Sequence, residues 1–309
     1  MVTVDVTEQL RSRWQSSVKS VVDEIIQCPS ISTTDVIDSE CQQALDVLSQ
    51  IWLEKVAKLH AEPHRAYHNL THVQDVIASL DFLIDGVDST IGVSTKIIEA
   101  ILIQAAFFHD VVYNPRSSTN EKDSADTFLQ FATELWMTVS PSKQQHCHNK
   151  SGKDNNDELM RKLRKCEIVA QIEECIIATA THISSAETAH KTQNYTLATF
   201  LDADMSILGR NADIYDKYAG CIRKEYEFVE REMYCEKRAD ILESFLPLVH
   251  NEVDTNQTVT AAEAATPAKQ HLFIYATEKG RKQWEERARK NLKNEIGLLR
   301  SGDIPCELE

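Results

Sequence analysis

The residues hardest to explain as packing are His109 and Asp110, which close the run AILIQAAFFHDVVY at 100–113. A carboxylate carried into or beside a core costs several kcal/mol unless it is paired, hydrogen-bonded or coordinated. A His–Asp pair can satisfy itself by hydrogen bonding, so this pair alone leaves structure and chemistry equally open. His68 and His72, in YHNLTH, are four residues apart and on a helix would share one face a turn apart. His72 borders a stripe formed by Val76 and Leu80, at the edge of a core. In FLDADMSILG at 200–209, Asp204 shares a helical face with Phe200, Leu201, Ile207 and Leu208, whereas Asp202 lies with Thr199 and Ser206. Asp204 is therefore the expected buried acid and Asp202 the more exposed one. His182 ends IIATATH on a further apolar-faced segment.

Four segments thus direct an imidazole or a carboxylate inward. A network of buried polar groups would accommodate them, but a shared metal satisfies all of them at once. Mixed histidine and carboxylate ligation suits a divalent ion such as Mn, Mg, Co, Zn or Fe, with waters completing the shell.

The elements that must position these residues read as helices. Eight glycines and seven prolines in 309 residues fall well below the usual roughly 7% and 5%, too few for the turns of a strand-rich fold. Helical periodicity is expected over 7–27, from Ala44 through Val56, over 73–84 with a stop at Gly86, over Thr95–Tyr113, Ile168–His182, Thr199–Leu208 and Ala212–Phe245, and again at the C-terminus on Trp284, Ala288, Leu292, Ile296 and Leu299. Thr34 to Glu40 reads as a loop. Two polar stretches, about 140–165 and 248–270, read as solvated insertions. The His146-Cys147-His148 triplet in the first lacks enough fixed ligands for a metal site. The expectation is an all-α bundle, with residues 1–60 as an N-terminal helical extension and 61–300 as one domain carrying both insertions.

Taken in order, His72, His109-Asp110 and Asp204 resemble the H…HD…D signature of HD-superfamily phosphohydrolases. RAYHNLTH (65–72), FHDVVY (108–113), NEKDSA (120–125), TATH (179–182), LDADMSILG (201–209), RKEY (223–226) and ARKNL (288–292) look like one branch of predicted metal-dependent HD phosphohydrolases. YHNxxH and the segment around Asp204 are also distantly similar to cyclic-nucleotide phosphodiesterases, although Tyr113 stands where those enzymes carry a histidine. The resemblance implies an HD-domain bundle with His72, His109, Asp110 and Asp204 as metal ligands. It further implies hydrolysis of a small phosphorylated substrate, a phosphomonoester or phosphodiester such as a nucleotide, by a metal-activated water. His68 becomes the proton donor to the leaving oxygen, and Glu121 a group orienting water or a ligand. Arg65, Tyr113, His182 and Arg223 become candidate substrate contacts. Two other outcomes stay open: a di-iron oxygenase on the same ligand skeleton, with His68 and His182 as added ligands, and a non-catalytic ligand-binding module.

Composition narrows the partners. A net charge of −15 argues against a nucleic-acid polymer, which needs a basic footprint. Eight cysteines without a CxxC pair read as reduced thiols. The N-terminal 25 residues lack a continuous apolar segment, and the longest apolar run, 97–112, is interrupted by Glu99, Gln104, His109 and Asp110. A cytoplasmic protein without a membrane span is expected.

Overall fold

In the computed structural model, residues 7–31, 38–85, 94–140, 152–246 and 273–306 are described, and among them every regular element is helical. In chain order the helices are α1 (Glu8–Gln27), α2 (Ser39–His60), α3 (Leu70–Ile84), α4 (Thr95–Phe108), α5 (Asn120–Val139), α6 (Gly152–Leu163), α7 (Glu167–Ala178), α8 (His182–Thr192), α9 (Tyr195–Asp204), α10 (Ala212–Glu225), α11 (Arg231–Phe245) and α12 (Glu278–Arg300). Short 3₁₀ turns at Thr179–Thr181 and Met205–Gly209 follow α7 and α9. Among the described residues no helix is long and apolar enough to cross a membrane.

Helix α4 is the axis of the bundle, because every residue from Ala100 to Phe108 is buried. Helices α1, α3, α7 and α9 surround it, so its apolar residues meet partners on all sides. Helices α1 and α2 contribute to this core. Trp14 of α1 lies 5.1 Å from Phe107 and 5.3 Å from Phe131, and Trp52 of α2 lies 5.2 Å from Phe131, ring centre to ring centre.

Three sequence expectations are corrected, and one helix is added. The helix expected over Thr95–Tyr113 ends at Phe108, so His109 and Asp110 sit at its C-terminal turn. The segment expected as one helix over Ala212–Phe245 is broken between α10 and α11. Gly152–Leu163, expected within a solvated insertion, is helical. The paired Leu159 and Leu163 anchor it, with Leu163 fully buried; this short apolar spacing is masked by the polar residues around it. Helix α5 was not among the expected helices; its Phe128, Leu129, Phe131, Ala132 and Leu135 form a continuous buried face. Residues 34–37, the triplet at 146–148 and the stretch 248–270 lie outside the described residues.

Helix α12 docks onto the turn that follows Asp204. Asn291 donates to the carbonyls of Leu208 and Arg210 (2.8 and 2.9 Å), and Arg287 donates to that of Gly209 (2.7 Å). A methyl group on Gly209 would lie 2.8 Å from the Cα and carbonyl oxygen of Trp284. Backbone cannot yield as a side chain tip can, so Gly209→Ala is expected to destabilise the protein by about 1–3 kcal/mol. A thermal or urea unfolding curve unchanged from the wild type would show that the two backbones do not meet this closely.

His60, at the end of α2, is buried and donates from Nε2 to the Phe107 carbonyl at 3.1 Å. Burial lowers its pKa from 6.5 to about 3. Because the unfolded chain binds the proton more readily, His60 supports the fold above pH 6.5 and that support is lost as pH falls toward 3. Its share of the loss between pH 7 and pH 5 is about 2 kcal/mol. His60→Gln keeps an amide donor without the titration, so its urea midpoint should fall less steeply over this range. Parallel slopes for variant and wild type would contradict the assignment.

Candidate metal centre

The site lies where the ends of several helices meet. Asn69 caps α3 by accepting from the Thr71 N–H at 2.8 Å, so the helix begins at Leu70 and places His72 in its first turn. His68 therefore precedes the helix, rather than sharing its face with His72 as the spacing alone predicts. His109 is the C-cap of α4, its N–H donating to Ala105 at 2.9 Å. Asp204 is the last residue of α9, and His182 opens α8.

His72, His109 and Asp204 each offer one ligand atom, all within 4.8 Å of one another. His72 Nε2 is 3.1 Å from His109 Nε2 and 3.1 Å from Asp204 Oδ1, and His109 Nε2 is 3.4 Å from Asp204 Oδ1. Two ligand atoms each about 2.1 Å from one ion, at angles of 90–109°, lie about 3.0–3.4 Å apart. These separations fit the edges of one coordination polyhedron. Asp110 Oδ2 joins them, 2.9 Å from His109 Nε2 and 3.6 Å from His72 Nε2. His109 donates from Nδ1 to the Ala106 carbonyl at 3.0 Å, which fixes the ring and leaves Nε2 to face the centre.

Burial opposes the charged forms of these groups, and their mutual attraction outweighs it. The carboxylates of Asp110 and Asp204 hold His109 protonated to well above the usual histidine range. The neighbouring histidines hold Asp110 and Asp204 below the usual carboxylate range. A divalent ion placed among the same atoms would answer both carboxylates in place of the imidazolium proton. His182 Nε2 lies 2.8 Å from the second oxygen of Asp204, Oδ2.

Above this cluster opens a cavity of about 440 Å³ bordered by His68, Tyr113, Glu121, His182, Tyr218 and Tyr226, with His72, Asp110 and Asp204 at its base. His68 is held by Glu225, a residue the sequence reading did not assign. Glu225 Oε2 is 2.6 Å from His68 Nδ1, and Oε1 accepts from the backbone N–H groups of Tyr67 and His68 (2.7 and 3.0 Å). Tyr113 donates its hydroxyl to Glu225 Oε2 at 2.7 Å and stacks on the His68 ring with centres 4.2 Å apart. Burial raises the pKa of Glu225, but the hydrogen bond and charge of His68, together with the backbone N–H groups of Tyr67 and His68, more than offset it and keep the group an acceptor. Nδ1 of His68 is then the donor, which leaves Nε2 as the ring's other nitrogen. His68 itself is opposed by burial but raised above its usual value by Asp110 and Glu225. A signal for Glu225 existed: it extends the buried stripe of Tyr215, Ala219 and Ile222 along α10, an acid where only a partner makes burial tolerable.

Glu121 and His182 border the cavity as expected, but the two arginines are used elsewhere. Arg65 is buried and donates to the carbonyls of His68, Asp110 and Val111 (3.0, 2.6 and 3.0 Å) and to Glu62 (3.0 Å). Rather than contacting phosphate, it ties the His68 turn to the His109-Asp110 turn. Arg223 donates to the carbonyls of Tyr226 and Val229 (both 2.9 Å) and lies over the Tyr234 ring; it does not border the cavity. Both guanidiniums satisfy carbonyls of the turns that flank these helices.

Asp202 is corrected as well. Expected to be exposed, it is 1% exposed and accepts from Ala276 N, Thr277 N and Thr277 Oγ1 at 2.7, 2.8 and 2.6 Å. Its two-residue offset from Asp204 turns it to the opposite face of α9, where the segment leading into α12 covers it. Burial pushes its pKa up to about 7 despite these three hydrogen bonds. Asp202 anchors α12, while Asp204 faces His72, His109 and His182.

Searches against known protein families, curated proteins and solved structures return no match to this chain.

Proposed function

We propose that this protein is a metal-dependent phosphohydrolase of the HD type, cleaving a phosphate ester. The observation that carries this reading is the convergence of His72, His109, Asp110 and Asp204 at the base of a cavity bordered by the Glu225-held His68. It agrees with the H…HD…D resemblance of the sequence. A divalent ion bound there lowers the pKa of a coordinated water and neutralises charge on a phosphoryl group.

The chain's own residues supply the rest. His109 and His72 present Nε2 lone pairs, and Asp110 and Asp204 present carboxylate oxygens. Asp110 is kept in place from behind by the grip of Arg65 on its carbonyl. His68, charged through its bond to Glu225, offers its Nε2 proton to the leaving oxygen, a contribution worth about 10²–10⁴-fold. Glu121 and His182 border the space where the attacking water and the phosphoryl oxygens would lie.

Purified protein supplied with Mn, Co or Mg should hydrolyse an aryl phosphate or a nucleotide, and stripping the metal with a chelator should abolish turnover. Wild-type rates from either His109→Ala or Asp110→Ala would refute the reading.

One observation favours a second reading, a di-iron oxygenase. His182 Nε2, 2.8 Å from Oδ2 of Asp204, would be available as a further ligand if a second ion were held beside the first. Metal analysis and the visible spectrum of protein purified without added metal separate the two readings: stoichiometric iron with an iron–oxo absorption selects the oxygenase.

A further inference from the structure

The cavity over the metal centre has a one-sided charge. Its described lining holds three carboxylates, from Asp110, Asp204 and Glu121, and no lysine or arginine. Cationic side chains on adjoining segments are committed elsewhere. Arg65 is spent on carbonyls, Lys122 pairs with Asp126 at 2.8 Å, and Arg116 lies over Phe228 at 3.6 Å. Arg210 donates to Ser79 Oγ at 3.1 Å and lines a smaller neighbouring cavity, while Lys224 lines another. The N-terminal turn of α5 supplies a partial positive charge to the same wall, but carries Glu121 and Asp123 within it. The remaining wall is uncharged or imidazole-bearing: Tyr113, Tyr218, Tyr226, Met205, Ile207 and Leu208 on one part, and the neutral polar Ser117, Ser118, Asn120 and Thr179 with His182 on the other.

We infer that the site selects esters with a single phosphoryl group joined to an uncharged organic group, and discriminates against di- and triphosphates. This rests on the phosphohydrolase reading and specifies its substrate class. Among the described lining residues, positive charge can come only from the metal centre and the histidines beside it, His68 and His182, enough for one phosphoryl group. Each further phosphate would sit against tyrosines, neutral hydroxyl and amide groups and Glu121, with no guanidinium or ammonium among the described lining residues to replace its lost hydration. Multiply phosphorylated substrates are ordinarily met by such cations around their outer phosphates.

The test compares kcat/KM for an aryl phosphate, an aryl phosphodiester and the mono-, di- and triphosphates of one nucleoside, at a fixed free Mn concentration so that chelation by polyphosphates does not enter. The best single-phosphate ester should exceed the di- and triphosphate by about tenfold or more, the scale of one uncompensated charge in a partly buried site. A smaller margin, or a preference for the triphosphate, overturns this inference and leaves the hydrolase reading standing. No turnover of any member of the panel defeats the reading on which it rests, and the inference with it. Ser118 is exposed at the cavity rim, so Ser118→Lys adds a cation without disturbing the core. The variant should narrow the ratio by about threefold or more; an unchanged ratio would show that wall charge does not set the selectivity.

Discussion

His109→Ala is expected to release the metal and lower hydrolysis by about 10³-fold or more, since a bound ion supplies several kcal/mol of transition-state stabilisation. The effect follows from position. His109 is 1% exposed, its Nδ1 is occupied by the Ala106 carbonyl, and its Nε2 lies within 3.4 Å of atoms from His72, Asp110 and Asp204. Alanine removes the ligand that shares an edge with each of the other three. The wild type should also gain thermal stability from added metal. At a hundredfold excess over Kd the gain is about 2.7 kcal/mol, which in a chain of this size raises Tm by roughly 5 °C. The variant should show no such rise. Measuring Tm against metal concentration, beside metal content by elemental analysis, separates a lost site from a lost fold. A variant that still titrates with the wild-type midpoint would mean that the ion is held elsewhere.

Glu225→Gln should lower kcat by about 10²–10³-fold while metal content stays at the wild-type level. The glutamine carbonyl can still accept from Tyr67 and His68 backbone N–H groups, so the turn is preserved. Its amide nitrogen, however, replaces the oxygen that takes both the His68 Nδ1 proton and the Tyr113 hydroxyl. Donor then meets donor, and the charged imidazole loses its counter-charge. The defect should depend on the leaving group: large for an alkyl phosphate, whose departing oxygen needs a proton, and small for a nitrophenyl phosphate, whose oxygen leaves as a stable anion. A merely structural role would depress both equally, and that result would remove His68 as the acid. Glu225→Ala should add a folding defect of a few kcal/mol, because it leaves two N–H groups and a hydroxyl without an acceptor.

The sequence already held the ligand types and their order. A histidine and an aspartate at the end of an unbroken apolar run, and an aspartate on an apolar helical face, are expensive to bury unless something answers them. That argument depends on composition and spacing alone, and His109, Asp110 and Asp204 do lie together with His72. Scarcity of glycine and proline likewise indicated helices. The same local reasoning failed wherever a partner distant in the chain decides the outcome. Arg65 and Arg223 are plausible phosphate contacts from their chemistry, but the turns beside α3, α4 and α10 leave carbonyls open and these guanidiniums fill them. Asp202 reads as the exposed member of its pair only until residues 275–277 close over it. His68 and His72 read as a pair on one helical face, yet Asn69, by capping α3, puts His68 outside the helix.

The clustered His109, Asp110 and Asp204 could be singled out from the sequence because burying a charged group without a partner is costly whatever the fold. Two matters belonged to tertiary structure alone. One is Glu225, 157 residues from His68 in sequence and 2.6 Å from its ring, which gives that histidine its tautomer and its charge. The other is which side chains wall the cavity, and therefore its lack, among the described residues, of any lysine or arginine. Hydrogen bonds and cavity linings join residues across the chain, and no local spacing encodes which of them will meet.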